Sequence, residues 1–413
     1  MWTKTEKRYQ IVQIDLRHPL EQVTVPQGAS GIAFVPRSNG RPVGFFMEEH
    51  PEGTVIRPRD LAVKLFQWCG RQILAEKIYD ELRWRLDCAG FPQLDISICT
   101  HGRPDALKRC LQSLDDLGLT GAIGGTRVIV VDNAPNDDRT AQVVHSFPGV
   151  KYVVEPKPGL DFARNRAIQE GSADLLAFLD DDVIVDACWL QGLREAWAAN
   201  PDAAAFTGPI LPYELETRAQ IAFERMGGFG KNFDRVRFGR ALPRIPTYPV
   251  GAGMFGAGAN MVFRRSVLKQ LGGFDDALDT GAPLAGGGDL DIFYRVVQAG
   301  YPLVREPALV VYHQHRREYA KLRHQMWTWG LGTMAYITKS WRADPADRPK
   351  IRRWLLWWAS YQLSKILVPF LRRTQERWPW DMVLAEMCGA VIGLWGEYDR
   401  SLARVEKVRR QFA

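Results

Sequence analysis

At 413 residues the chain exceeds a usual single domain, so one large domain with attachments, or two to three units, is expected. Its composition, 46% hydrophobic and 24% charged with no low-complexity tract or convincing repeat, is that of a packed globular protein and excludes a mainly disordered one. The net charge of +7 sits entirely at the C-terminal end: residues 331–413 hold 15 Lys and Arg against 8 Asp and Glu, while the preceding part balances at 39 against 39.

The opening MWTKTEKRYQ lacks the apolar stretch of a signal peptide. YQIVQIDL, GIAFVP, the turn SNGRP and VGFFMEE then predict a small β-rich unit over residues 1–60. DLAVKLFQWCGRQILAEKIYDELRWRL carries apolar residues at helical spacing (Leu61, Leu65, Trp68, Ile73, Ile78, Leu82) and predicts a linking helix over 61–92, interrupted near Gly70. From residue 93 strands and amphipathic helices alternate: LDISICT, PDALKRCLQSLDDLG, TRVIVVDN, KYVVEP, LDFARNRAIQEGS, DLLAFLD. That order predicts an α/β unit over 93–330 built on a mainly parallel sheet with helices on both faces. Ligands of such sheets bind beyond the carboxyl ends of the strands. There stand Thr100, His101 and Arg103 after the first strand, Asp132 and Asn133 after the second, and Asp180, Asp181 and Asp182 after the fourth.

Six scattered cysteines, Cys69, Cys88, Cys99, Cys110, Cys188 and Cys388, show neither CxxC spacing nor a neighbouring His cluster, so reduced residues of a cytoplasmic protein are expected. Residues 331–413 hold seven of the fourteen Trp, in stretches such as IRRWLLWWASYQLSKILVPFLRR. Basic flanks around Trp-rich apolar sequence suit peripheral binding to an anionic membrane surface, and a helical tail packed on the main domain suits them equally. The apolar run from Trp354 to Phe370 contains Lys365 and is too short for a confident spanning helix. No nucleic-acid partner is expected, since neither a motif nor a sustained basic stripe accompanies the charge.

Strand alternation would turn Asp180 and Asp182 to one side and Asp181 to the other. Two converging carboxylates suit a hard cation such as Mg²⁺ or Mn²⁺, and a solvated turn also fits. In GAPLAGGGDLDIFYRVVQAG, Asp289 stands where a helix N-cap is expected, with Asp291 complementing the dipole. The glycines before it leave room for a substrate hydroxyl to approach Asp289 as a general base. The Gly-rich PVGAGMFGAGAN is not a Walker A loop. LVVYHQHRREY ends a strand with His313 and His315 in alternation, residues suited to a metal or to the surface.

Taken in order, "ISICTHGRPDALKRCLQSL", "VIVVDNAPND", "GLDFARNRAI", "AFLDDDVIVDACWL", "GAGANMVFRRSVLKQLGGFDDAL" and "GGGDLDIFYRVVQAGY" resemble the glycosyltransferase family 2 proteins of GT-A fold, over roughly residues 93–320. The resemblance implies an inverting, nucleotide-sugar-dependent enzyme of glycan or glycolipid assembly. Thr100 and Arg103 would border the nucleotide, Asp132 would bond the base, and Arg164 and Asn165 would support that pocket. Asp180 would lie near the ribose, and Asp182, with His313, on the metal. Asp289 matches the base. Gly288 departs from the Glu-Asp pair of many members, which bears on acceptor placement, as does Asp291. A sugar-phosphate nucleotidyltransferase and a non-catalytic, membrane-associated nucleotide-sugar-binding protein are the alternatives. The acceptor, a lipid-linked saccharide among the choices, does not follow from the residues. The location expected is cytoplasmic, at most on the inner face of the cell membrane.

Overall fold

The computed structural model describes residues 8–83, 86, 88–121, 125–242, 245–372 and 378–412. The N-terminal residues read for a leader, Trp84, Arg85 and Asp87 of the linking segment, and Arg373 and Arg377 of the basic flank lie outside the described residues. The N-terminal unit comprises β1 (Tyr9–Asp15), β2 (Val23–Thr24), β3 (Gly31–Ser38), β4 (Arg41–Pro42), β5 (Phe46–Glu49) and β6 (Val55–Ile56). β3 pairs with β1 in parallel and with β4 and β5 antiparallel. Helix α1 (Pro58–Leu82) closes its core with Leu61, Leu65 and Cys69. This helix runs unbroken through Gly70, against expectation. Of its predicted apolar stripe Trp68, Ile78 and Leu82 stay exposed, because the unit is too narrow to cover a helix of that length.

Salt links seat this unit on the rest of the chain. The buried Arg41 reaches Glu76 of α1 at 2.9 Å and Glu195 at 2.7 Å, and Arg37 grips Asp186 at 2.8 Å.

The main unit follows as β7 (Leu94–Thr100), α2 (Pro104–Asp115), β8 (Thr126–Asn133), α3 (Arg139–His145), β9 (Lys151–Glu155), α4 (Leu160–Glu170), β10 (Leu175–Asp180), β11 (Val183–Val185) and α5 (Trp189–Ala199). It continues through β12 (Ala205–Thr207), β13 (Ile210–Pro212), α6 (Arg218–Arg225), β14 (Val236–Phe238), β15 (Asn260–Arg264), α7 (Arg265–Gln270), α8 (Gly288–Gln298), β16 (Leu303–Arg305) and β17 (Val311–His313). Eight strands form one sheet in the order β14-β16-β12-β15-β10-β7-β8-β9, mostly parallel, with β14 and β15 antiparallel to their neighbours. Alternate residues feed two cores, Ile129, Val131 and Phe178 on one face and Val128, Val130 and Leu179 on the other.

Register does the positioning. Thr100 lies beside Asp132, and Asp180 beside Cys99, so the carboxyl ends of β7, β8 and β10 form one line. The small sheet β11-β17-β13 sets Val183 opposite His313, which brings the end of β17 against the residue before Val183, Asp182.

The tail comprises α9 (Tyr319–Ala343), α10 (Arg348–Arg372), α11 (Trp380–Ile392) and α12 (Tyr398–Gln411). Helix α9 starts before residue 331, so the expected boundary falls inside it. Gly330 and Gly389 let α9 and α11 cross almost in backbone contact: a Cβ on either would overlap the other helix. Ile351, Trp354 and Ala390 join the main core, making the tail part of the packed body. No helix among the described residues is long and apolar enough to cross a membrane.

Replacing Arg41 with Ala would remove the cation shared by the buried Glu76 and Glu195 and leave them Arg235 and Arg83, so a loss of about 1–3 kcal/mol is expected in urea unfolding. An unchanged unfolding midpoint would show that the ion pairs do not seat the N-terminal unit.

Candidate functional site

β10 ends at Asp180, and Asp181 and Asp182 turn the chain before β11. Strand alternation therefore stops one residue earlier than expected, and Asp181 is not a solvated outward residue. It is buried, accepting from Thr100 Oγ1 at 2.7 Å and Arg103 Nη1 at 2.6 Å. The other arm of Arg103 donates to Asp182 Oδ2 at 2.6 Å. Thr100 and Arg103 thus hold the turn that shapes the acidic site, and Arg316 approaches Asp182 at 4.0 Å.

Ligand atoms of Asp180, Asp182 and His313 all lie within 4.8 Å of one another. Burial, and then the neighbouring Asp182, push the Asp180 carboxyl well above the usual carboxylate range. Burial also raises Asp181, against the pull of Arg103. Asp182 goes the other way: burial opposes its charge, but the Arg103 guanidinium, donating at 2.6 Å, holds it below its ordinary value. Burial pulls the His313 imidazole down to about 4, so near neutral pH it is the uncharged ring that metals bind.

The residues pass a test of fit for a divalent cation. Asp182 Oδ1 is buried and has no hydrogen-bond partner, although His313 Nε2 stands 3.2 Å away. Two carboxylates and an imidazole, one carboxylate oxygen left unsatisfied, are a donor set for Mg²⁺ or Mn²⁺.

Asp289 is the second residue of α8, and the N-cap is Gly287, held in a left-handed conformation at φ 102° against α9. Asp289 is therefore not the cap. Its Oδ2 accepts from the backbone N–H of Gly258 at 2.8 Å, which orients the partly exposed carboxylate. Arg164 is buried behind it, donating to Asp161 at 2.9 Å and Asp279 at 3.3 Å. Its guanidinium also feels Asp180 and Asp289, so one cation lies within electrostatic reach of both.

The remaining predicted residues divide. Asp132 is buried at the end of β8, where it accepts from Tyr152 at 2.8 Å and leaves Oδ1 without a partner. Burial raises its pKa. Asn165 follows Arg164 on α4. Its amide clamps Phe274 and Asp276 of the loop before α8. Asp291 is buried between Arg295 and Lys339, each at 2.7 Å, tying α8 to α9. Gly288 is packed so closely that only glycine fits: a Cβ would stand 2.1 Å from Asp161 Oδ2 and 2.7 Å from Asp279 Oδ2.

Several residues of the site escaped the sequence reading. Asp161 was visible only as an acidic residue three before Arg164, and Asp279 and Gly258 only through the fold. Glu224, on α6, is fully buried with His315 and Lys231. Burial opposes its charge, yet Lys231 and His315 hold its carboxyl below the usual range.

The sheet, its short antiparallel insertion and the acidic cluster at the strand ends define a GT-A type fold. It resembles the solved mannosyltransferase PcManGT from Pyrobaculum calidifontis, in complex with GDP-Man and Mn²⁺, at a TM-score of 0.50 and 16% identity, covering 78% of this chain and 94% of that one. Residues 95–272 match glycosyl transferase family 2.

Among curated relatives, the succinoglycan biosynthesis protein ExoM of Rhizobium meliloti is 29% identical over 218 residues, 52% of this chain and 64% of its own. The glucosyl-dolichyl phosphate glucuronosyltransferase of Haloferax volcanii is 27% identical over 160 residues, 36% of this chain and 45% of its own. The pre-mycofactocin glycosyltransferase of Mycobacterium tuberculosis is 30% identical over 207 residues, 48% of this chain and 40% of its own. The chain spans roughly half the length of these relatives, from 40% to 64%.

Gly288→Ala should destabilise the protein by about 1–3 kcal/mol through overpacking. Equal stability of Gly288→Ala and the parent in denaturant titration would contradict this packing.

Proposed function

We propose that the chain is an inverting glycosyltransferase that moves a sugar from a nucleoside-diphosphate sugar to an acceptor hydroxyl, in glycan or glycolipid assembly. The observation that carries this reading is the convergence of Asp180, Asp182 and His313 at the strand ends, with Asp289 oriented on a neighbouring helix end and one guanidinium within reach of both. The named relatives are glycosyltransferases or act in polysaccharide synthesis, and the fold neighbour carries a nucleotide sugar and Mn²⁺. Residues 93–330 would be the catalytic unit, with 1–60, the linking segment 61–92 and 331–413 as supports.

A divalent cation, Mg²⁺ or Mn²⁺, held by Asp180, Asp182 and His313 would offset the negative charge that develops on a departing diphosphate. Asp132 offers its free Oδ1 to a donor N–H of the base. Thr100 and Arg103 keep the acidic turn in place, and Arg103 and Arg316 add positive charge beside the phosphates. Asp289, fixed by the Gly258 N–H, takes the proton of the acceptor hydroxyl. That oxygen attacks the anomeric carbon from the face opposite the leaving group, the new C–O bond forms as the bond to the diphosphate breaks, and the configuration inverts. General-base assistance of this kind contributes about 10²–10⁴-fold.

The tail supports a reading in which the acceptor comes from a membrane surface. α10 and α11 expose Leu356, Trp357, Leu367, Trp380 and Val391, with Trp395 at the kink that follows, and Arg352 and Arg353 are exposed on α10. Bare indoles and aliphatics beside arginines fit an anionic lipid surface, where indole rings settle at headgroup depth. Trp354, by contrast, is buried against Gly251, in the loop leading to Gly258. Helix α10 thus connects this exposed apolar and basic face to the loop that orients Asp289, which supports a lipid-linked acceptor.

Asp289→Asn should keep donor binding and lose about 10²–10⁴-fold of transfer; near-normal transfer would remove it as the base. Trp357→Glu with Trp395→Glu should abolish pelleting with phosphatidylserine vesicles while leaving the melting temperature in place. Undiminished pelleting of that variant would rule out this face. Point changes suit this test better than truncation, which would strip Ile351, Trp354 and Ala390 from the main core.

A further inference from the structure

Behind His313 runs a chain of buried polar groups that the reaction itself does not require. His313 Nδ1 stands 2.9 Å from His315 Nδ1. His315 Nε2 stands 2.6 Å from Glu224 Oε1, and the other Glu224 oxygen is bonded by Lys231. The two rings lie on the same side of the chain because they are two residues apart at a strand end. Aromatic rings wall them in: Phe229 packs edge-on to His313 at 4.9 Å between centroids, and Phe223 to His315 at 4.7 Å. Both imidazoles and Glu224 are buried, so water cannot supply substitute partners.

With both imidazoles uncharged, the polarity of this chain follows from donors and acceptors. A carboxylate only accepts, so His315 Nε2 carries the hydrogen. With His315 neutral its Nδ1 is then bare and must accept, so the hydrogen between the rings belongs to His313 Nδ1. The neutral His313 is left with a bare Nε2, and this is the atom 3.2 Å from Asp182 Oδ1. Two lone-pair acceptors thus face each other, and the buried Asp182 Oδ1 has no hydrogen-bond partner. The pair becomes favourable when a cation is shared between them.

We infer that Glu224 and His315 are positioning residues that fix the tautomer of His313, so that its Nε2 lone pair is presented with Asp182 Oδ1 to the metal. Lys231 sets the sign of the relay by occupying the far oxygen of Glu224. This inference rests on the metal reading above and adds to it a reason for residues that touch neither metal nor substrate. Partners of this kind usually change metal affinity about 10–100-fold when removed.

The informative variant is Glu224→Gln. Lys231 can only donate, so it would retain the amide oxygen and turn the NH₂ toward His315 Nε2. The relay would then run backwards and place a hydrogen on His313 Nε2. The experiment is titration of the full-length chain with Mn²⁺ alone, free Mn²⁺ being counted by its EPR signal, with thermal unfolding of each variant as the measure of structure. The expected result is binding by the parent, loss in Asp182→Ala, and affinity about 10–100-fold weaker in Glu224→Gln at an unchanged melting temperature. Adding Lys231→Met to Glu224→Gln frees the amide to flip, and part of the affinity should return.

Parent-like affinity in Glu224→Gln, alongside loss in Asp182→Ala, would overturn the relay and leave the metal site standing. Equal binding by the parent and Asp182→Ala would overturn both. If Glu224→Gln does not fold, imidazole ¹⁵N NMR of the metal-free parent decides. A bare Nε2 and a protonated Nδ1 on His313 support the relay, and the opposite assignment refutes it.

Discussion

Three adjacent carboxylates at the end of β10 are drawn out of water together. Burying like charges side by side is costly, and apolar packing does not compensate it; the cost falls only when positive charge or donors are brought to the same place. Much of the surrounding structure follows from that constraint. Thr100 and Arg103 satisfy Asp181, Arg103 also reaches Asp182, and Arg164 lies close enough to Asp180 to act on it. What they leave over is one buried oxygen of Asp182 facing a neutral imidazole. Such a donor set is one that a divalent cation would complete.

The supports then have a physical purpose. Parallel register aligns the ends of β7, β8 and β10, and the separate β11-β17 pairing delivers His313 from more than a hundred residues away. On the other side of the cleft, Gly258 and the glycines before α8 bring backbone close enough to fix Asp289 and leave no room for side chains. Helix α9 bears on those glycines, and α11 crosses α9 at glycine contacts. The N-terminal unit ties to the turn after β11 through Arg37 and Asp186. Each attachment therefore bears on an element that neighbours a site residue.

Strands and helices of the main unit were legible in sequence because apolar periodicity there is strong. LDISICT and TRVIVVDN are strands over the same residues in the structure. The acidic residues and Asp289 were legible as well, through position after a strand and before a helix. What misled was local extrapolation. Strand alternation was carried past Asp180 into a turn, which made Asp181 look solvated, and Gly70 was read as a break in a helix that tertiary contacts keep whole. The cap role of Asp289 failed because Gly287, not an Asx residue, makes the left-handed entry to α8. Asp161, Asp279 and Glu224 were invisible for a different reason. Each has a partner 91 to 127 residues away in the chain, His315 for Glu224, Arg164 for Asp279 and Gly288 for Asp161, and no local pattern encodes such contacts.

The central claim is that Asp180, Asp182 and His313 share a divalent cation, with His313 bound through nitrogen. Pulsed EPR of the protein loaded with one equivalent of Mn²⁺ tests it most directly. The account predicts a nitrogen coupling from one directly coordinated imidazole that disappears in His313→Ala. Bound Mn²⁺ with no imidazole coupling, or a coupling that survives that substitution, would contradict it.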